Sequence, residues 1–316
     1  MLWAKDELEA YPCDYCGNSE TRLVFGRQDG LNAVECRSCG LCFINPRPRS
    51  ELLRRLYDKD YFASKTRASS VGYQDYFSDI SRRDFLASCR IRLDVLRKHT
   101  GPIRGMRMLE MGCATGEMCY RAHLEGCVSA GYDVNETAIE EAKRRYPSLD
   151  FRIGDANAIP GNETYDLILA FEVIEHVASP MRFLKVLRGH MADGGYLALS
   201  TPNYNCARAL GPSAWDGFSH SFEHLYFLTP ETLALYAGKV GLALSGWYGG
   251  GGTGKTALAR PQWAGAARRA AADLGLLRFA KKMRGVLAHA RPHYKLRDNQ
   301  HNLLAVLKLE RSGEAA

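Results

Sequence analysis

Between Arg107 and Ser200 short apolar runs alternate with stretches of helical spacing, and this alternation constrains the fold more than any other feature of the 316-residue chain. The runs are Arg107–Met111, Ser129–Tyr132, Asp150–Ile153, Tyr165–Phe171 and Gly195–Ser200. The helix-like pieces between them include Glu117–Glu125, Glu136–Tyr146 and Met181–Met191. Strands that alternate with helices predict an α/β fold with a Rossmann-like, doubly wound, mostly parallel sheet. Leu242–Tyr248 is a further apolar run, and Asn302–Leu309 reads as a closing strand. Residues 1–45 differ in character, being rich in cysteine and glycine. Residues 46–105 read as a helical linker or lid, with Leu52, Leu53, Leu56 and an aromatic stretch from Tyr57 to Phe77. Residues 106–316 form the main domain, with a basic helical insertion at about 250–300.

The first strand runs into Glu110-Met-Gly112-Cys113-Ala114-Thr-Gly116-Glu. Glycines in a strand-to-helix turn let the backbone approach a ligand and leave helix N–H groups facing it. The spacing is G-x-x-x-G after an acid, not the G-x-G-x-x-G of a dinucleotide site, so no phosphate is demanded. About twenty residues on, Gly131-Tyr132-Asp133-Val134 ends the second strand with a carboxylate suited to ribose hydroxyls. The third strand ends at Asp155-Ala156, and the fourth at Phe171-Glu-Val-Ile-Glu175-His176-Val177.

In these residues the chain resembles the class I S-adenosylmethionine-dependent methyltransferases. Glu110-x-Gly112-x-x-x-Gly116 is similar to their first motif. The resemblance implies that Glu110, Gly112, Cys113, Ala114, Gly116, Asp133, Val134, Asp155, Ala156 and Phe171 surround S-adenosylmethionine, with Asp133 on the ribose and Asp155 and Ala156 on the adenine. The Phe171–Val177 run, the Asp193-Gly-Gly195 turn, Ser200-Thr-Pro-Asn203 and His224-Leu-Tyr-Phe227 are similar to later motifs, the last to those of a subgroup with an N-terminal four-cysteine module and sugar, glycan or small-metabolite acceptors. The expected reaction is O-methylation by in-line transfer from the sulfonium. A hydroxyl nucleophile needs a proton acceptor, and histidine suits that role near neutral pH. The candidates are His176 past the fourth strand, and His220, Glu223 and His224 in the loop after the fifth.

Cys13-Asp-Tyr-Cys16-Gly17 and Cys36-Arg-Ser-Cys39-Gly40 are two C-x2-C-G knuckles. Each turn aims two thiolates at one point, and together they complete a closed tetrahedral site for structural zinc. The expected metal ligands are therefore Cys13, Cys16, Cys36 and Cys39, in a small zinc ribbon. Cys42, three residues past Cys39, fits no knuckle.

The net charge of +7 is uneven: eleven Lys or Arg against the single acid Asp273 make residues 255–297 +10, leaving the remainder at −3. A basic patch suits an anionic partner such as a phosphate, a nucleotide, an acidic glycan, a lipid headgroup or RNA, and the resemblance implies a small-molecule or glycan acceptor, which that patch would allow to be anionic. The amphipathic stretch 263–290 could cap the pocket, form a homodimer face or lie peripherally on an anionic membrane. An RNA methyltransferase is the first rival, because the basic segment permits nucleic acid, although Phe171-Glu-Val-Ile stands in place of an Asn-Pro-Pro-aromatic motif. A non-catalytic zinc-ribbon interaction protein is the second. His220-x-x-Glu223-His224 spells an inverted zinc-protease motif that requires a helix, and the prolines and glycines around it indicate a loop. Gly249-x-x-x-x-Gly254-Lys255-Thr256 spells a phosphate loop with no later strand to hold magnesium, and is read as a mobile glycine loop near the site. The N-terminal residues hold three acids and no apolar core, and no run reaches the ~18 apolar residues of a membrane span, so the expected compartment is the cytoplasm.

Overall fold

The computed structural model describes residues 3–57, 61–62, 76–218, 221–249, 252–254 and 302–309. The N-terminal part carries β1 (Leu8–Glu9), β2 (Thr21–Gly26), β3 (Asn32–Cys36), β4 (Cys42–Ile44), β5 (Arg47–Pro48) and a 3-10 helix over Ser50–Tyr57. After it come α1 (Asp79–Thr100), β6 (Arg107–Met111), α2 (Glu117–Leu124), β7 (Val128–Asp133), α3 (Glu136–Arg145), β8 (Asp150–Ile153), β9 (Tyr165–Phe171) and α4 (Pro180–Gly189). The chain continues with β10 (Met191–Pro202), α5 (Tyr204–Leu210), β11 (Tyr226–Phe227), α6 (Pro230–Lys239), β12 (Leu242–Gly249), β13 (Gly252–Gly254) and β14 (Asn302–Leu309).

The helices start where the sequence supplies a cap. Ser78 Oγ accepts the Ser81 N–H at 3.2 Å, Asn135 Oδ1 the Ala138 N–H at 2.9 Å and Ser179 Oγ the Arg182 N–H at 3.1 Å. Each satisfies an N–H that the first turn leaves open. Gly101, at φ +72°, stops α1 in a conformation that side chains resist.

The main sheet has eight strands in the order β13-β12-β14-β10-β9-β6-β7-β8. From β10 to β8 neighbouring strands are parallel, while β14 runs antiparallel between β10 and β12. Because successive side chains of a strand point to opposite faces, each central strand feeds two cores. Leu167 and Leu169 pack with Met108, Leu93 and Leu96 on the face covered by α1 and α2. Ile168 and Ala170 pack with Leu109, Leu184, Leu233 and the cysteine module on the other. The order of strands reverses between β6 and β9, and a doubly wound sheet opens its ligand crevice beyond the carboxyl ends at that point.

A second sheet, in the order β11-β4-β3-β2, joins the cysteine module to the loop before α6. Its edge pairs Tyr226 with Phe43 and Phe227 with Cys42. Among the described residues no helix is long and apolar enough to cross a membrane.

Three expectations differ in detail. The Asp193-Gly-Gly195 turn lies within β10: Met191 pairs with Tyr165 and Tyr196 with Leu167, so the intervening residues bulge out and the strand resumes. Gly249 and Gly252–Gly254 form a hairpin, with Trp247 opposite Gly254, so this stretch, expected as a mobile glycine loop, is strand on both sides of residues 250–251. The leucines at 52–56 sit on a 3-10 helix rather than an α-helix. The basic segment 255–297, the amphipathic stretch 263–290, His220 and most of the aromatic stretch between Tyr57 and Phe77 lie outside the described residues.

Candidate functional site

Beyond the carboxyl ends of β6 and β9 lies a cavity of about 1120 Å³. Its floor is the glycine loop. Gly112 and Gly116 take φ values of +71° and +83°, and even Ala114 sits at +44°. A Cβ on Gly112 would lie 2.5 Å from Val173 Cγ2, and one on Gly116 would lie 2.5 Å from the Phe151 ring. Only glycine permits both the turn and these approaches. The Gly112 and Cys113 N–H groups donate to the Tyr132 carbonyl at 2.8 and 3.0 Å, which fastens the loop to the end of β7.

Asp133 is buried at that end. One carboxylate oxygen accepts the Ala114 N–H at 2.9 Å and the other the Asn135 N–H at 2.8 Å. Burial pushes its carboxyl up, while those N–H groups draw it back toward the charged form. Each oxygen keeps a lone pair for a ligand hydroxyl. Glu110, also buried, is pushed up to about 8 by desolvation, and the Cys119 thiol donates to it at 3.3 Å. Asp155 caps the 3-10 turn at Ala156 by accepting the Asn157 N–H at 2.9 Å. Val134, Asp155, Ala156, Cys113 and Phe171 all line the cavity, so every cofactor-site residue expected from the sequence except Gly116 does so, and Gly116 shapes the turn beneath.

Sequence reasoning overlooked Arg92. It enters from α1, with its guanidinium carbon 4.5 Å from the Phe171 ring centroid; burial pushes the carboxyls of Glu110 and Glu172 up, and the Arg92 charge offsets part of that rise. Lining positions Asp84, Ser88 and Arg92 recur every fourth residue, a polar stripe that could have been noticed against the apolar face. Tyr57, Tyr61, Phe62, Tyr76 and Phe85 also line the cavity.

His176, which lines the cavity, meets His224 edge to face, their ring centroids 4.7 Å apart. Glu175 completes the group: one ligand atom from each of Glu175, His176 and His224 lies within 4.8 Å of the others. Glu175 was overlooked as well, since its place one residue before His176 does not reveal that it is fully buried. Burial pushes its carboxyl up and drives His176 down to about 4, so both imidazoles are neutral. Glu175 Oε1 and Oε2, His176 Nδ1 and His224 Nδ1 make no well-formed hydrogen bond among the described residues, although the Thr201 hydroxyl draws the Glu175 carboxyl down and the Glu223 backbone draws His176 up. Buried polar atoms without partners cost about 1–3 kcal/mol each. A cluster of four, of carboxyl and neutral imidazole type, is a donor set able to hold a metal ion. Glu223 is buried in the same turn and its charge acts on Glu175. Residues 221–225 form no helix, as a protease motif would require.

The two cysteine knuckles are superposable in pattern. Gly17 donates to the Cys13 carbonyl at 2.8 Å and Gly40 to the Cys36 carbonyl at 3.0 Å, both glycines at φ +75°. Cys13 and Cys39 Sγ lie 3.4 Å apart, and Cys16 and Cys36 Sγ 3.5 Å apart. Thiolates on one tetrahedral zinc are separated by about 3.8 Å, so the four sulfurs fit that ion. Cys42 is buried under Tyr204, outside the cluster.

Comparison with known proteins follows this geometry. The family described as a methyltransferase domain matches residues 82–245, more than half of the chain. A ubiquinone biosynthesis O-methyltransferase from Nitrobacter winogradskyi is 30% identical over 171 residues, covering 50% of this chain and 64% of that one. One from Parvibaculum lavamentivorans is 35% identical over 107 residues, covering 32% and 42%. The chain thus spans between about two fifths and two thirds of the length of these relatives. Among solved structures, an S-adenosylmethionine-dependent methyltransferase from Clostridium acetobutylicum is 12% identical, with 74% and 96% of the chains covered and a TM-score of 0.48. The magnesium protoporphyrin IX methyltransferase of Synechocystis PCC 6803 is 12% identical, covering 84% and 100% with a TM-score of 0.46. On the strength of the family match, the chain belongs to the methyltransferase-domain family.

Proposed function

We propose that this methyltransferase moves the methyl group of S-adenosylmethionine to a hydroxyl of a small acceptor, a sugar or hydroxylated ring, seated between the glycine loop and the cysteine module. The observation that carries the reading is the buried group Glu175, His176 and His224, of which His176 lines the cofactor cavity, with four polar atoms short of hydrogen bonds. The naming of curated relatives as O-methyltransferases supports transfer to oxygen.

Asp133 and Asp155 hold the adenosine, and Arg92 offers a cation for the methionyl carboxylate. The glycine loop lets the sulfonium approach without a side chain between. Methyl transfer needs the nucleophile in line with the S–CH3 bond and water kept out, and the aromatic residues of the cavity lining supply that cover. The acceptor hydroxyl must lose a proton. His176 lines the cavity and is neutral, so its ring can coordinate or accept a proton. A divalent cation held by Glu175, His176 and His224 would raise the acidity of a hydroxyl beside it. Zinc held by the four cysteines is structural, because that site has no open position.

The test is a cation titration of turnover. Protein dialysed against a chelator too weak to strip a four-thiolate site should be inactive, and Mg2+ or Mn2+ should restore it. Glu175→Gln should abolish the response while leaving binding of S-adenosylhomocysteine intact. Full turnover without added cation, with Glu175→Gln as active as wild type, refutes the cation reading.

A further inference from the structure

The cysteine module touches both loops that carry the buried histidines. Arg27, just past β2, is wholly buried and ion-paired with Asp29. Asp29 is itself fixed, one oxygen accepting the Leu31 N–H at 3.1 Å and the Arg27 Nε–H at 3.2 Å. From that lock Arg27 Nη1 donates to the His224 carbonyl at 2.9 Å and Nη2 to the Phe222 carbonyl at 2.6 Å. Its guanidinium carbon also lies 5.1 Å from the Phe222 ring centroid. One strand further, Ile44 N–H donates to the Leu225 carbonyl at 2.8 Å, and Leu225 N–H donates to the Glu175 carbonyl at 2.8 Å. On the other loop, Asp14, inside the first knuckle, accepts from Ser179 Oγ at 2.5 Å and from Met181 N–H at 2.9 Å. Arg47 Nη2 donates to the Ala178 carbonyl at 2.8 Å.

We propose that the four-cysteine module is a working part of the active site, with Arg27 as the positioning residue that sets His224 against His176 and Glu175. Residues 221–225 have no helix or strand to hold them, so the local chain does not determine where His224 sits. A guanidinium is a rigid planar fork, and here it grips two carbonyls two residues apart while Asp29 fixes its other edge. Lysine, with one rotatable ammonium, cannot hold three partners in that plane. A buried ion pair seldom stabilises a fold more than apolar packing of equal volume would. Geometry is the contribution this pair makes. Asp14 and Arg47 do the same for the chain following His176, so loss of the module would loosen both loops together.

The proposal rests on the reading above only in treating these histidines as catalytic; their placement can be measured directly. Protein with 15N-labelled histidine, loaded with zinc and S-adenosylhomocysteine, would be compared as wild type, Arg27→Met and Arg27→Lys. The ring signals are assigned through His176→Gln and His224→Gln. In Arg27→Met the His224 and His176 signals should shift or broaden, while those of His99, His123 and His190 hold. Zinc content should stay at one per chain and the S-adenosylhomocysteine Kd within twofold. Turnover should fall tenfold or more, and Arg27→Lys should recover part of it. If Arg27→Met fails to fold, Asp29→Asn, which frees one edge of the fork, must show the same selective shift. Unmoved His176 and His224 signals overturn the proposal. So does a shift of all five histidines together with lost cofactor binding, since Arg27 would then only support the fold. Selective shifts in a protein whose turnover ignores added cation would leave the positioning intact and refute the cation reading alone.

Discussion

Gly112→Ala tests whether the glycine loop is built for close approach. Two costs can be separated from the geometry. At φ +71° an alanine occupies the left-handed region, worth about 1–2 kcal/mol for a residue with a Cβ. The added carbon would also lie 2.5 Å from Val173 Cγ2, on a branched side chain that follows β9 and is partly buried against the core. Overpacking of this kind costs about 1–3 kcal/mol. The sum, about 2–5 kcal/mol, is a sizeable part of a typical stability of about 5–15 kcal/mol. The assay is urea denaturation of the zinc-loaded protein, with Gly112→Ala, Val173→Ala and the double variant forming a cycle. Val173→Ala should return the steric part in the double variant and leave the dihedral part. The same cycle read by calorimetry should show weaker S-adenosylhomocysteine binding in both variants that carry alanine at 112, because the loop N–H groups no longer meet the ligand. A loss below about 1 kcal/mol in Gly112→Ala, or no coupling with Val173, would refute the reasoning.

Asp133→Asn should weaken S-adenosylhomocysteine binding at least tenfold, about 1.4 kcal/mol, because one position that accepts the Ala114 or Asn135 N–H becomes a donor; unchanged affinity by calorimetry would contradict this. Burial pushes the Glu110 carboxyl up to about 8 from its ordinary 4.5, so it keeps a proton in the fold where the unfolded chain has lost it. Its ionisation therefore opposes folding progressively as pH rises from about 4.5 to 8. Glu110→Gln should gain stability relative to wild type across that window, by up to about 3 kcal/mol at pH 7, and a wild-type-minus-variant difference that stays flat with pH would count against it. Cys13→Ser and Cys36→Ser should each lose the single zinc, measured by metal analysis, and lower the melting temperature; retention of one zinc per chain would remove these ligands from the site.

Local pattern and long-range contact divide what could be read from the chain. β6, β8, β9 and β14 fall at the residues whose apolar runs announced them, and α3 and α4 end within two residues of expectation, since strands fed on both faces and capped helices advertise themselves locally. The glycine turn and Asp133 were legible for the same reason: positive-φ glycines and an acid at a strand end are sequence-local signals. The edge strand β11 was not. Tyr226 and Phe227 become strand only because Phe43 and Cys42, far away in the chain, offer them an edge. The bulge in β10 is likewise decided by its partner β9, whereas Gly194-Gly195 alone reads as a turn. The site divides in the same way. His176 and His224 stood out as histidines past strand ends, yet what makes them a group is the burial of Glu175 between them. What holds His224 is Arg27, whose contact with it crosses 197 residues. No local spacing encodes such a contact. It exists because the cysteine module packs against the crevice, so a chain whose knuckles read as an appended ribbon folds with that ribbon as one wall of the cavity beyond β6 and β9.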